Sequence, residues 1–304
     1  MRLLIEVPTW LGDCVMASGS INKLITHLNP SEVVIFGSPT STALFTEHPK
    51  VTEIIIDNTK HGFRIANIIR LSKRLKADIG VTYRNHIYSK LLLFLSTKSY
   101  YWQKKSYGGH LAQNYNQYIN SIIKQDLQIS YPKIYFDSIQ YKKKTIGINP
   151  GAAYGSAKRW YPEEFAKVAN QLAAQYDIII FGGPGEEEIA YDIEKSLTIS
   201  NYKNLCGKLK IPQLCQMIGG LELMITNDSG PMHIAASYQV STIAIIGPSK
   251  YKETYPFHTK YKLLRANLEC SPCAKRVCPL KGEKHHLCMK LITAEDVLKS
   301  IGEI

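Results

Sequence analysis

The sequence predicts an α/β fold built from two Rossmann-like domains. Three observations carry that reading. Short β-branched and apolar runs alternate with stretches of helical spacing, the pattern of parallel strands joined by covering helices. The alternation restarts near residue 145. At 304 residues the chain is also longer than one hydrophobic core usually supports.

In the first half, Arg2 to Val7 reads as a strand and Cys14 to Leu28 as a helix. Val33 to Phe36 and Glu53 to Ile56 are β-branched runs, Ile65 to Leu75 is an amphipathic helix, and Ile79 to Thr82 is a further strand. Lys142, Lys143 and Lys144 form a polar hinge, which places the domains at 1–145 and 146–304. Beyond it, Thr145 to Asn149 is a strand ending at Pro150 and Gly151. Pro162 to Tyr176 is a helix with proline early and Glu163 and Glu164 at its positive end. Strands follow at Asp177 to Phe181, Leu221 to Thr226 and Val240 to Ile246, with a helix starting at Met232. Thr293 and Asp296 have the spacing of a capping box before a last helix to Ile301.

Hydrophobic residues make up 45% of the chain and charged residues 20%, an ordinary composition with material for two cores. No apolar run approaches the roughly 18 residues of a membrane span. The N-terminus lacks the charged and apolar regions of a signal peptide, so the cytoplasm is the expected compartment. The net charge of +12 is unevenly spread: residues 1–145 hold +10 of it. Between Asp78 and Asp126 there is no acidic residue. Arg84, Lys90, Lys98, Lys104, Lys105 and Lys124 alternate there with Tyr83, Tyr88, Tyr100, Tyr101, Trp102 and Tyr107. Such a stretch suits an anionic partner, whether a phosphorylated glycan, a membrane face or a nucleic acid. It equally suits a solvated basic face.

Two loops stand out in the second half. Asp228, Ser229 and Gly230 turn out of a buried strand into a helix, where free N–H groups and the helix dipole favour phosphate. Gly230 permits close approach, Ser229 adds a donor, and His233 lies one turn on. A helix merely capped by Asp228 or Ser229 is the competing explanation. The segment from Gly151 and Ala152 to Lys158, Arg159 and Trp160 also leaves a strand, with small residues and two cations. Two such loops suit a diphosphate.

Asp228-Ser229-Gly230-Pro231-Met232-His233, Ala157-Lys158-Arg159-Trp160 and Gly12-Asp13 together resemble the ADP-heptose:lipopolysaccharide heptosyltransferases, members of the inverting glycosyltransferase family 9. The likeness spans the chain and keeps the motif order. The cysteines at 270, 273, 278 and 288 resemble those of the heptosyltransferase II branch. This resemblance implies a GT-B fold, two Rossmann-like domains whose parallel sheets face across a cleft. Residues 1–145 would bind the acceptor and 146–304 the nucleotide-sugar, with the terminal helix free to pack back on the first domain. The implied donor is ADP-L-glycero-D-manno-heptose and the implied acceptor the first heptose of the lipopolysaccharide inner core, an anionic glycan at the inner membrane face. Asp13 matches the proposed base, although as a residue it also fits a helix N-cap. Ser229, Gly230 and His233 would hold the diphosphate, and Asp228 the sugar hydroxyls or the loop. Lys158 would contact phosphate or the departing sugar. Gly183 with Glu186 or Glu187 would lie near the adenosine. The family implies no metal, and the sequence has no Asp-x-Asp motif.

Cys270, Cys273, Cys278 and Cys288 could hold a structural zinc, with His285 and His286 nearby, or could be packed and reduced. Two rivals remain: another GT-B glycosyltransferase, heptosyltransferase I-like or using a UDP- or GDP-sugar, and a basic nucleic-acid-binding protein with a cysteine module. The second is weakened because charge and cysteines lie in opposite halves.

Overall fold

The computed structural model describes residues 1–59, 62–102 and 107–304. The chain forms two compact units, Met1–Phe136 and Asp137–Ile304. Residues 137–144, read from sequence as ending in a hinge, are tied into the second unit. Ile139 N–H donates to Gln216 O at 3.0 Å and Tyr141 Oη to Met217 O at 2.9 Å.

The first unit has strands β1 (Arg2–Glu6), β2 (Glu32–Gly37), β3 (Glu53–Ile56), β4 (Ala77–Thr82) and β5 (Thr97–Trp102). Its helices are α1 (Leu11–Leu28), α2 (Pro39–Thr42), α3 (Arg64–Arg74), α4 (Ile87–Ser96) and α5 (Leu111–Ile123). The strands pair in parallel in the order β3-β2-β1-β4-β5. Helices cover both faces, so the central strand is apolar throughout, with Leu3, Leu4 and Ile5 fully buried. Close packing of α1 depends on Gly19, where an added Cβ would lie 2.3 Å from Ser130 O. The helix stops at Asn29, whose left-handed backbone returns an N–H to Ile25 O.

The second unit has β6 (Thr145–Asn149), β7 (Asp177–Ile180), β8 (Tyr202–Asn204), β9 (Leu223–Asn227), β10 (Ser241–Ile245) and β11 (Tyr261–Leu264). Its helices are α6 (Pro162–Leu172), α7 (Glu187–Glu194), α8 (Ile211–Gly219), α9 (Gly230–Ser237), α10 (Tyr251–Thr254), α11 (Leu287–Lys290) and α12 (Ala294–Ile301). The strands run in the order β11-β10-β9-β6-β7-β8, again parallel. The expected capping box is present: Thr293 Oγ1 accepts from Asp296 N–H, and Asp296 accepts from Thr293 N–H. Ala294 and Val297 of α12 belong to the same core as Phe165, Ile180 and Ile243, so the terminal helix packs within its own unit.

A buried charge cluster holds the carboxyl edge of the first sheet. Arg84, just after β4, puts Nη1 3.1 Å from Asp57 Oδ2 and 3.3 Å from Glu6 Oε1, while its Nε donates to Val7 O at 2.8 Å. Burial pushes the Glu6 carboxyl above its ordinary range, against the opposing effects of Arg84, Thr82 and Ser89. Burial also opposes ionisation of Asp57, but two hydrogen bonds from Thr59 and the Arg84 charge outweigh it, so its carboxyl lies below the usual aspartate range. This geometry corrects the reading of Tyr83 to Tyr107 as one surface. Tyr83 is buried and Arg84 is an internal ion-pair partner. Lys104 and Lys105 lie outside the described residues.

Because the folded value of Asp57 lies below the unfolded one, its ionised form favours folding at neutral pH. That contribution disappears as pH falls through the folded value. Asp57→Asn should therefore cost about 2 kcal/mol near neutrality, and the gap to wild type should narrow below about pH 4. Urea unfolding at stepped pH reads both effects. A gap that stays constant into acid would refute the assignment.

Candidate active site

In each sheet two neighbouring strands have their successors on opposite sides, β1 and β4 in the first and β6 and β9 in the second. Loops leaving such a pair diverge and open a crevice at the carboxyl ends of the strands. Both phosphate loops predicted from sequence leave the β6–β9 pair, and the structure brings them together. Lys158 Nζ lies 2.7 Å from Asp228 Oδ2, with side chains 18% and 5% exposed. The same Nζ is 3.5 Å from Asp228 O.

Two asparagines that the sequence reading passed over hold these loops. Asn227, at the end of β9, donates through Nδ2 to Pro150 O at 2.7 Å and accepts Trp160 N–H through Oδ1 at 3.1 Å. Trp160 is fully buried, and its Nε1 donates to Ile292 O at 2.9 Å. One amide thereby fixes both ends of the segment bearing Gly151, Ala152 and Lys158. Asn149, at the end of β6, donates through Nδ2 to Gly151 O at 3.2 Å and to Ser229 Oγ at 3.0 Å. The only sequence signal for either residue is a polar amide closing an otherwise apolar strand.

These contacts bear on the helix-cap explanation of the Asp228 loop. Ser229 occupies the N-cap position of α9, but its side chain makes no capping bond. Its oxygen accepts from Asn149, so its own proton is turned away from that partner. Asp228 is engaged with Lys158. Gly230 begins α9, and His233 lies in the first turn of that helix, 5% exposed.

The loop after β7 closes the other side. Glu186 Oε2 accepts Gly183 N–H at 2.8 Å. The same carboxylate lies against Gly151, where an added Cβ would fall 2.0 Å from Oε2. Glu187, the alternative, instead accepts Gly185 N–H at 2.8 Å. Among the described residues, Glu186 Oε1 and Asn149 Oδ1 are buried without a hydrogen-bond partner.

Asp13 belongs to the first unit and follows β1. The sequence reading put it in a loop before a helix at Cys14, but α1 begins at Leu11 with Trp10 as N-cap. Asp13 is therefore a half-buried residue of the first turn, not the cap, and its carboxylate favours the helix's positive end. Burial, reinforced by the Asp13 charge, pushes the Tyr115 phenol well above its ordinary range.

Cys270, Cys273, Cys278 and Cys288 are all free thiols. Burial and the other three thiols push Cys288 up to about 11. Among the described residues, no group of three or more His, Cys, Asp or Glu side chains is placed to hold a metal, so the zinc tetrad allowed by the spacing is not assembled.

The family model for glycosyltransferase family 9 (heptosyltransferase) matches residues 109–284. The chain belongs to glycosyltransferase family 9. It is 40% identical to the lipooligosaccharide heptosyltransferase 2 of Campylobacter jejuni, over 98% of this chain and 97% of that one. The solved ADP-heptose lipopolysaccharide heptosyltransferase II of Escherichia coli superimposes with a TM-score of 0.82 at 22% identity, covering 100% of this chain and 98% of that one. A second E. coli heptosyltransferase, solved with ADP, gives 0.77 at 14% identity, covering 100% and 99%. The two Rossmann-like units with parallel sheets are thus those of a GT-B-type fold, as the motifs implied.

In this family 9 glycosyltransferase, rigidity of the Lys158 loop rests on Asn227. Asn227→Ala strands a buried donor and a buried acceptor and should lower stability by roughly 3 kcal/mol. Ser229→Ala, which leaves one Asn149 Nδ2 proton without its partner at the edge of the crevice, should cost no more than about 1 kcal/mol. Urea unfolding of both variants measures the contrast, and equal losses would contradict the role given to Asn227.

Proposed function

We propose that this glycosyltransferase moves L-glycero-D-manno-heptose from ADP-heptose to the first heptose of the lipopolysaccharide inner core. The observation that carries the reading is the Lys158–Asp228 pair across the β6–β9 crevice, with Ser229 and the start of α9 beside it. The 40% identity to a lipooligosaccharide heptosyltransferase 2 supports the sugar and the acceptor class. The E. coli heptosyltransferase solved with ADP supports the nucleotide.

The reaction is an inverting displacement. The acceptor hydroxyl oxygen attacks the anomeric carbon while the bond from that carbon to the diphosphate oxygen breaks. The hydroxyl proton passes to the Asp13 carboxylate, and ADP leaves with the bonding pair. Charge growing on ADP is met by Lys158, the Ser229 hydroxyl and the Gly230 N–H at the start of α9, with His233 in the same turn. Gly151, Ala152 and Gly230 let the backbone approach the phosphates. Asp228 aims Lys158 and reaches the sugar hydroxyls. Glu186, held by Gly183, presents Oε1 as an acceptor for a ribose hydroxyl. The enzyme works in the cytoplasm, peripheral to the membrane face that carries its acceptor. Among the described residues, no helix is long and apolar enough to cross a membrane.

The deciding measurement is nucleotide release from a panel of nucleotide-sugars. ADP should appear with ADP-heptose, and only when a heptosylated acceptor is present. Release from UDP- or GDP-sugars would overturn the donor assignment. Asp13→Asn should fold normally and lose about a hundredfold or more in kcat, with ADP affinity unchanged by calorimetry. Near-wild-type turnover would remove Asp13 from the mechanism.

A further inference from the structure

Helices α3 and α4 cover the first sheet, and each buries one face against it: Ile68 and Ser72 from α3, Leu92 and Leu93 from α4. A covering helix ordinarily turns polar side chains outward. Here several of the outward positions are apolar. Phe63, at the start of α3, is 88% exposed, Ile65 56% and Ile69 46%. On α4, Ile87 is 69% exposed and Phe94 62%. The two helices form one surface, since the Arg64 guanidinium lies 4.0 Å over the Tyr88 ring. The Phe94 ring packs edge-on against Tyr100 at the other end.

Cations surround these apolar tips. Arg70 and Lys73 are exposed along α3, while Arg74 also pairs with Glu53 at 3.2 Å and Lys98, beyond α4, with Asp78 at 2.6 Å. From residue 58 to residue 125 the chain holds twelve Lys and Arg and one acidic residue, Asp78. Protein interfaces deplete lysine at their centres and seat aromatic anchors in pockets. Projecting Phe and Ile side chains interspersed with Lys and Arg have the chemistry of a helix lying in an anionic lipid interface.

We propose that the α3–α4 face docks on an anionic lipid bilayer. Phe63, Ile65, Ile69, Ile87 and Phe94 enter the boundary between headgroups and acyl chains, and the surrounding cations meet lipid phosphates. This specifies the surface for the peripheral membrane contact proposed above and does not depend on the donor or the sugar. It also shifts that surface from the Tyr83–Tyr107 stretch, part of which is interior, to the outer side of α3 and α4.

The test is flotation of the full-length protein with vesicles, without donor or acceptor. Wild type should float with phosphatidylglycerol-containing vesicles and far less with phosphatidylcholine alone. The combined variant F63S/I65S/I69S should lose at least tenfold in bound fraction at low and at high salt. The variant R70E/K73E should bind weakly and lose most of the salt dependence. Both should retain ADP release on a soluble delipidated acceptor, which shows that they are folded. Wild-type flotation by F63S/I65S/I69S, or no vesicle binding by wild type, overturns the proposal. So does capture by a membrane protein without vesicle binding. Absent ADP release with vesicle binding intact would count against the transfer reaction alone.

Discussion

Lys158 and Asp228 meet at 2.7 Å in a crevice that the strand order of the second sheet obliges to exist. A lysine shielded there without its carboxylate would carry an uncompensated charge, which is more costly than the pair is stabilising. Asp228 therefore does two things at once: it compensates the Lys158 charge, and it fixes where that charge points. In the proposed reaction, a diphosphate entering the crevice would meet a cation already in position, so little reorganisation would remain at the moment of reaction. Asn227 and Asn149 serve the same end from below. Their amides tie the β6 loop, the Lys158 segment and Ser229 into one frame, and Ser229 becomes an acceptor toward the protein with its proton directed elsewhere.

The first sheet meets the same topological constraint with different chemistry. Its crevice, between β1 and β4, has Arg84 clamped by Glu6 and Asp57 beneath it. Arg84 Nη1 and Nε are engaged within the cluster and stiffen the carboxyl edge, while its buried Nη2 has no hydrogen-bond partner among the described residues. In the proposed reaction the reactive carboxylate is instead Asp13, on the first turn of α1. On that proposal the structural charges are separate from the functional one, so the edge can be rigid while Asp13 stays half-buried and open to the proton a base must receive.

What the sequence disclosed follows from what each element needs. Strands buried on both faces must be apolar, so β1, β2, β6, β9 and β10 declare themselves in runs such as Leu3-Leu4-Ile5. Edge strands β8 and β11 are three and four residues long and take their register from β7 and β10, so little in Tyr202-Lys203-Asn204 marks a strand. β5, with Lys98 and two adjacent tyrosines, has the same composition as a basic surface and was read as one. The meeting of the Lys158 and Asp228 loops was legible because glycine and charge directly after a strand mark loops at the carboxyl edge of a sheet. Asn149 and Asn227 were not, because a neutral amide leaves no trace until its partners are known. Arg84 shows the opposite limit: composition reports a cation but not which way it faces.

That limit bears on the charge asymmetry of the chain. The excess of +10 in the first 145 residues includes Arg84, which is internal, and Lys98, which is paired with Asp78 at 2.6 Å. The cations that remain outward on α3 share their face with phenylalanine and isoleucine. Charge alone would draw any anion and would fade with salt. Apolar tips alone would invite association with any exposed apolar surface. Only a surface that is both anionic and penetrable satisfies both sets of side chains, and it is the combination, not the net charge, that singles out a lipid bilayer.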